Sequence, residues 1–282
     1  MARGMTRPPF DGALFRAASA VGAAVLVLHA AEGQRRDGWA QQFADEGFDA
    51  LAIQWFGDEG IVEVPIETVS SAAAWLADEL GVPVAVAGHS KGAELALAAA
   101  AYDPGPVQAV LAWAPSAVTW YGFDPSGREA SASPKSSWSW RGEPLPCVFT
   151  QAAPRESDRG VVMLPCYECP LDGDANGTVI PLERFSGRVL LVSGTDDQIW
   201  PSEEMARRIM RQMERHGRGD AVVHVSGAGG GHLITPDTVG LQFPGVDMGG
   251  SPEADRELSA RAWQAAIEIL RHLAAQADTP EP

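Results

Sequence analysis

Short apolar runs alternate with amphipathic stretches along most of the chain. "AVLVLHA" (24–30) contains Val25 to Leu28 as an unbroken apolar run, which suits a strand buried on both faces. "DALAIQWF" (49–56), "PVAVAG" (83–88), "VQAVLAWAP" (107–115), "RVLLVSG" (188–194) and "AVVHVSGAG" (221–229) repeat the signal. The stretches "WAQQFADEGF" (39–48), "IETVSSAAAWLADEL" (66–80), "SEEMARRIMRQMERHG" (202–217) and "SARAWQAAIEILRHLAA" (259–275) read instead as helices. Gly47 closes the first of them. Strands alternating with helices predict an α/β fold, with a mostly parallel sheet covered on both faces.

One interval breaks the alternation. Ser116 to Arg188 is rich in Ser, Pro, Gly and Trp, too long for a structureless loop in a compact domain. It is expected to pass, cap-like, over the carboxyl ends of the strands, where ligands bind in such sheets. Within it Trp120, Trp138 and Trp140 have two readings: lining of a ligand pocket, or packing of the excursion onto the body. The tail 275–282 is expected to fray.

The chain of 282 residues is expected to form a single domain. Its formal net charge of −16 argues against nucleic acid or an anionic membrane surface as partner. The apolar run near the N-terminus is too short to span a bilayer, and its upstream flank is a poor match to a leader peptide. Cys147, Cys166 and Cys169 cannot all pair within the chain, which fits a cytoplasmic location. "CYEC" (166–169) has redox or zinc spacing, but no second cysteine pair or nearby histidine completes a site. No metal or organic cofactor is expected.

The stretch with chemistry in it is "AVAGHSKGAELALAAA" (85–100), where Gly88 and Gly92 bracket Ser90 in the pattern G-x-S-x-G. A strand that turns sharply into a helix at such a serine lifts its hydroxyl above the sheet. That hydroxyl needs a base, and the base a carboxylate to orient it. "VLLVSGTDDQIWPS" places Asp196 and Asp197 after one strand, and "VVHVSGAGGGHLITP" places His232 after another. The order Ser, Asp, His is that of α/β hydrolases. His29, after the first strand, is read as shaping a loop whose Ala31 N–H joins that of Lys91 in an oxyanion hole. The Lys91 side chain is expected to be exposed.

Five stretches in order, "GHSKGAELAL", "SSWSWRGEPLP", "IPLERFSGRVLLVSGTDDQIWPS", "ERHGRGDAVVHVSGAGGGHLITP" and "GGSPEADRELSARAWQAAIEILRHL", carry a resemblance. The chain resembles the C-terminal catalytic domain of acyl-CoA thioesterases and bile acid-CoA:amino acid N-acyltransferases, within the α/β-hydrolase superfamily and near dienelactone hydrolases. The resemblance implies Ser90 as nucleophile, where the amino acid transferases carry Cys. It selects Asp197, three residues after Gly194, as the acid and His232 as the base. It implies attack on an acyl thioester, with an acyl-enzyme released by water. Two departures stand out. Eukaryotic members carry a preceding β-sandwich domain, whereas this chain begins almost at the first expected strand. The family's glycine-rich first loop reads "HAAEGQRRDG" here, with only Gly33 and Gly38. Cleavage of an ester or lactone, transfer to an amine or alcohol, and a non-catalytic binding role are the alternatives.

Overall fold

The computed structural model describes residues 8–123, 135–168 and 177–277. The strands are β1 (Gly12–Phe15), β2 (Ala24–Leu28), β3 (Asp49–Ile53), β4 (Val64–Pro65), β5 (Val84–His89) and β6 (Val107–Trp113), then β7 (Trp138–Trp140), β8 (Glu143–Pro144), β9 (Arg155–Ser157), β10 (Gly160–Val162), β11 (Arg188–Gly194) and β12 (Val222–Gly227). The helices are α1 (Asp37–Asp45), α2 (Glu67–Leu80), α3 (Lys91–Tyr102), α4 (Ser202–Arg215) and α5 (Pro252–Ala277). Seven strands form the main sheet in the order β1-β3-β2-β5-β6-β11-β12. All its pairings are parallel except β1 with β3.

Alternate side chains of each strand feed two cores. Leu26, Leu28, Val86, Val110 and Leu191 face α2, α3 and α4. Val25, Val27, Ala87, Leu111 and Val192 face α1 and α5. That double burial explains the unbroken apolar runs, since neither face of a central strand meets water. The six expected strands are all in the sheet, and the α/β fold is as the pattern predicted. Two boundaries differ. An antiparallel edge strand, β1, precedes the run first taken as the start of the sheet. Helix α5 begins at Pro252, seven residues before the expected Ser259.

The described part of the excursion is more ordered than its composition implied. β4, β7 and β8 form a small sheet, and β9 pairs with β10. Met163 and Leu164 donate main-chain N–H bonds to the Gln198 carbonyl, seating this segment beside the loop after β11. Residues 124–134 and 169–176 of the excursion, and 278–282 of the tail, lie outside the described residues. No helix among the described residues is long and apolar enough to cross a membrane.

Candidate active site

Ser90 stands between β5 and α3 with φ 56° and ψ −121°. Such a conformation costs a non-glycine residue about 1–3 kcal/mol and persists only where its surroundings enforce it. Here the Ser90 N–H donates to the Trp113 carbonyl (2.9 Å), and its own carbonyl accepts the first helical bond, from Glu94 N–H (3.0 Å). The bracketing glycines are steric necessities. A Cβ on Gly88 would collide with the Gly92 carbonyl, and one on Gly92 with the His29 carbonyl. The turn has the shape of a nucleophile elbow, and the spacing of the two glycines follows from its tightness.

The Ser90 Oγ lies 3.0 Å from His232 Nε2, and His232 Nδ1 lies 2.9 Å from Asp197 Oδ2. A carboxylate only accepts, so Nδ1 carries the proton and the Nε2 lone pair faces the serine hydroxyl. Asp197 also accepts from Ser202 Oγ (2.7 Å) and from the Ile199 and Trp200 N–H groups (2.9 and 3.2 Å). Its orientation is therefore fixed from several directions. Asp196 faces elsewhere, accepting from Gln198 Nε2 (2.8 Å) and from Gly250 N–H (2.9 Å). His232 is placed by its own N–H to the Met248 carbonyl (2.8 Å), and the preceding Gly231 N–H donates to Asp255 (2.7 Å). The three side chains assembled from the sequence are thus within one hydrogen-bonded relay, all nearly buried.

The loop after β2 is built by His29. Its Nδ1 donates to the Ala30 carbonyl (2.8 Å), and its Nε2 accepts the Trp55 N–H (3.3 Å). The ring stacks on Trp55 with centroids 4.8 Å apart. Burial lowers its pKa to about 4, so the ring is neutral near pH 7. The His29 carbonyl abuts Gly92, which brings this loop against the start of α3. Lys91 is the first residue of α3, where a main-chain N–H has no carbonyl one turn back to bond and the helix dipole favours negative charge. Arg36 ties the same loop to the one after His232, through Asp237 and Thr235 Oγ1.

The Lys91 side chain is not exposed as expected; it is 3% exposed. Its Nζ donates to Glu94 Oε2 and to Ser137 Oγ, both at 2.9 Å. Glu94, fully buried, also accepts from Trp120 N–H (2.8 Å) and from Trp138 Nε1 (2.7 Å). Burial pushes the lysine pKa down and the glutamate pKa up, each opposed by the other's charge. A charged pair in such a place is tolerable only because its bonding capacity is filled. It staples the excursion to the first turn of α3. A lysine and a glutamate three residues apart inside an Ala/Leu run were the signal for it.

The three tryptophans of the excursion are placed by the same meeting of segments. Trp120 and Trp138 are fully buried, and their indole N–H groups are committed to Ser116 Oγ (2.9 Å) and Glu94. Trp140 packs on Tyr102, at the far end of α3 from Ser90, beneath the Arg141 guanidinium. All three make packing contacts with the body of the protein. Trp200 lies edge-on to His232 (6.0 Å), and Tyr167 edge-on to Trp200 (5.7 Å). Cys166 is buried and unpaired, while Cys169 of "CYEC" lies outside the described residues. Among the described residues no three His, Cys, Asp or Glu side chains cluster as metal ligands would.

Solved α/β hydrolases superpose on the chain, among them a Paleococcus ferrophilus monoacylglycerol lipase (TM-score 0.54, 17% identity, 93% of this chain and 98% of that one). A dienelactone hydrolase from Anabaena variabilis gives TM-score 0.53 at 19% identity over 97% of both chains. Residues 64–275 match the family described as BAAT / acyl-CoA thioester hydrolase C terminal, and the chain belongs to it. Mouse acyl-coenzyme A amino acid N-acyltransferase 1 is 27% identical over 211 residues, covering 72% of this chain and 46% of the relative. Mouse acyl-coenzyme A thioesterase 5 is 24% identical over 242 residues, covering 80% and 54%. The chain spans about half the length of the curated relatives it matches.

Proposed function

We propose that the chain is one catalytic domain that hydrolyses acyl thioesters through an acyl-enzyme on Ser90. The observation that carries the reading is the continuous Ser90–His232–Asp197 relay in a chain of the acyl-CoA thioester hydrolase family. His232 Nε2 takes the Ser90 proton as Oγ attacks the thioester carbonyl. The tetrahedral oxyanion is assigned to the Lys91 N–H, at the start of α3, and to the Ala31 N–H in the loop after β2. Collapse breaks the carbon–sulfur bond, and the His232 proton leaves with the thiol. Water, deprotonated by the same nitrogen, then opens the ester and returns the proton to Ser90. The excursion, held by the Lys91–Glu94 pair, serves as the cover.

Acyl transfer to an amine is the second reading, and the likeness to an amino acid N-acyltransferase favours keeping it in view. Serine favours hydrolysis, because an oxygen ester reacts less readily with amines than a thioester does. Free thiol should be released from acyl-CoA with or without glycine or taurine, and faster than p-nitrophenol from an ester of the same acyl chain. Thiol release that depends on the amine would establish transfer instead. Faster ester cleavage with no thiol release would establish an ester or lactone hydrolase.

A further inference from the structure

His89 immediately precedes the nucleophile and is only 2% exposed, yet no step above uses its side chain. Its Nε2 lies 2.8 Å from the main-chain carbonyl oxygen of His232. A carbonyl only accepts, so Nε2 carries the proton and donates it to the bond. The two imidazole rings pack with centroids 4.9 Å apart and planes inclined by 46°. Adjacent residues of the elbow therefore hold one residue of the base loop at two points. Ser90 holds the ring, and His89 holds the main chain.

The two bonds differ in what the chemistry does to them. Once Ser90 Oγ is acylated it has no proton to donate, and its bond to His232 is lost. The His89 bond involves no reacting atom and persists. We infer that His89 is a positioning residue for the general base, holding the His232 main chain against the elbow through the acyl-enzyme stage so that Nε2 stays placed to activate water. The inference rests on the roles of Ser90 and His232 proposed above. It also needs a neutral His89, since a second cation would oppose proton uptake by His232. Burial, then the neighbouring His232 and Arg36 charges, holds the His89 pKa well below the usual histidine value.

The test compares the parent with His89→Phe, His89→Gln and His89→Asn, each rate normalised to active sites titrated with a fluorophosphonate. Phenylalanine fills the space without a donor, glutamine extends an amide N–H toward the position of Nε2, and asparagine falls short of it. Per titrated site, His89→Phe and His89→Asn should lose about tenfold in kcat, the scale of one hydrogen bond, with KM falling alongside it and kcat/KM little changed, because deacylation is the step slowed. His89→Gln should recover most of the loss. Misfolding alone lowers the number of titrated sites and leaves kcat per site unchanged. If His89→Phe does not fold, the Gln and Asn pair decides the matter. An unchanged kcat per site in the Phe or Asn variant, or a Gln variant no better than Asn, overturns the inference. A parent enzyme that takes no label on Ser90 overturns the active-site assignment, and this inference with it.

Discussion

Replacing Ser90 by alanine should abolish measurable thioester hydrolysis, a loss of about a millionfold in kcat by the scale of other serine hydrolases. Ser90 is the side chain held at positive φ at the mouth of α3 with a histidine nitrogen 3.0 Å from its hydroxyl. Among the described residues no other hydroxyl bonds His232 Nε2, and Ser202 Oγ is bonded to Asp197 instead. What survives in Ser90→Ala should be the slow reaction that donors and binding alone support. Ser90→Cys is the informative companion. It should keep acylation and shift deacylation toward added amines, because the intermediate becomes a thioester. Thiol release with and without an amine acceptor measures both effects. Activity in Ser90→Ala within tenfold of the parent would remove Ser90 from the mechanism.

The second large effect is expected at the acid. Asp197→Asn should lower kcat by about ten-thousandfold, since an amide nitrogen facing Nδ1 favours the tautomer with its proton on Nε2. That proton would occupy the lone pair that must receive the serine's. Asp196→Asn should change kcat by less than about threefold, because its carboxylate props the 249–250 turn and has no contact with His232. Steady-state kinetics on the two single variants separates them. The opposite ranking would mean that the orienting carboxylate is Asp196.

The parallel sheet was legible because central strands bury both faces, and doubly buried strands read as apolar runs such as Val25–Leu28 and Val189–Val192. The site was legible as order and spacing, with a serine between two glycines, an aspartate after β11 and a histidine after β12. Choosing Asp197 over Asp196 needed the family likeness, because adjacent aspartates are equivalent in pattern and differ only in direction. β1 escaped notice because a four-residue, half-buried edge strand carries little apolar signal. The early start of α5 had a signal in "SPEAD", where Ser251 Oγ accepts the Ala254 N–H (3.2 Å) and Pro252 takes the first helical position. The bonds that Glu94 accepts from the Trp120 main chain and the Trp138 indole depend on segments 26 and 44 residues apart meeting in space. No local pattern encodes that meeting.

The most direct test of the central claim is to quench the enzyme with acid during turnover of an acyl-CoA and map the covalent adduct by mass spectrometry. The account predicts an acyl group in ester linkage on Ser90, matched by an equivalent of released thiol and absent from Ser90→Ala. An acyl group on another residue, or steady thiol release that never passes through an acyl-enzyme even when deacylation is slowed by Asp197→Asn, would contradict it.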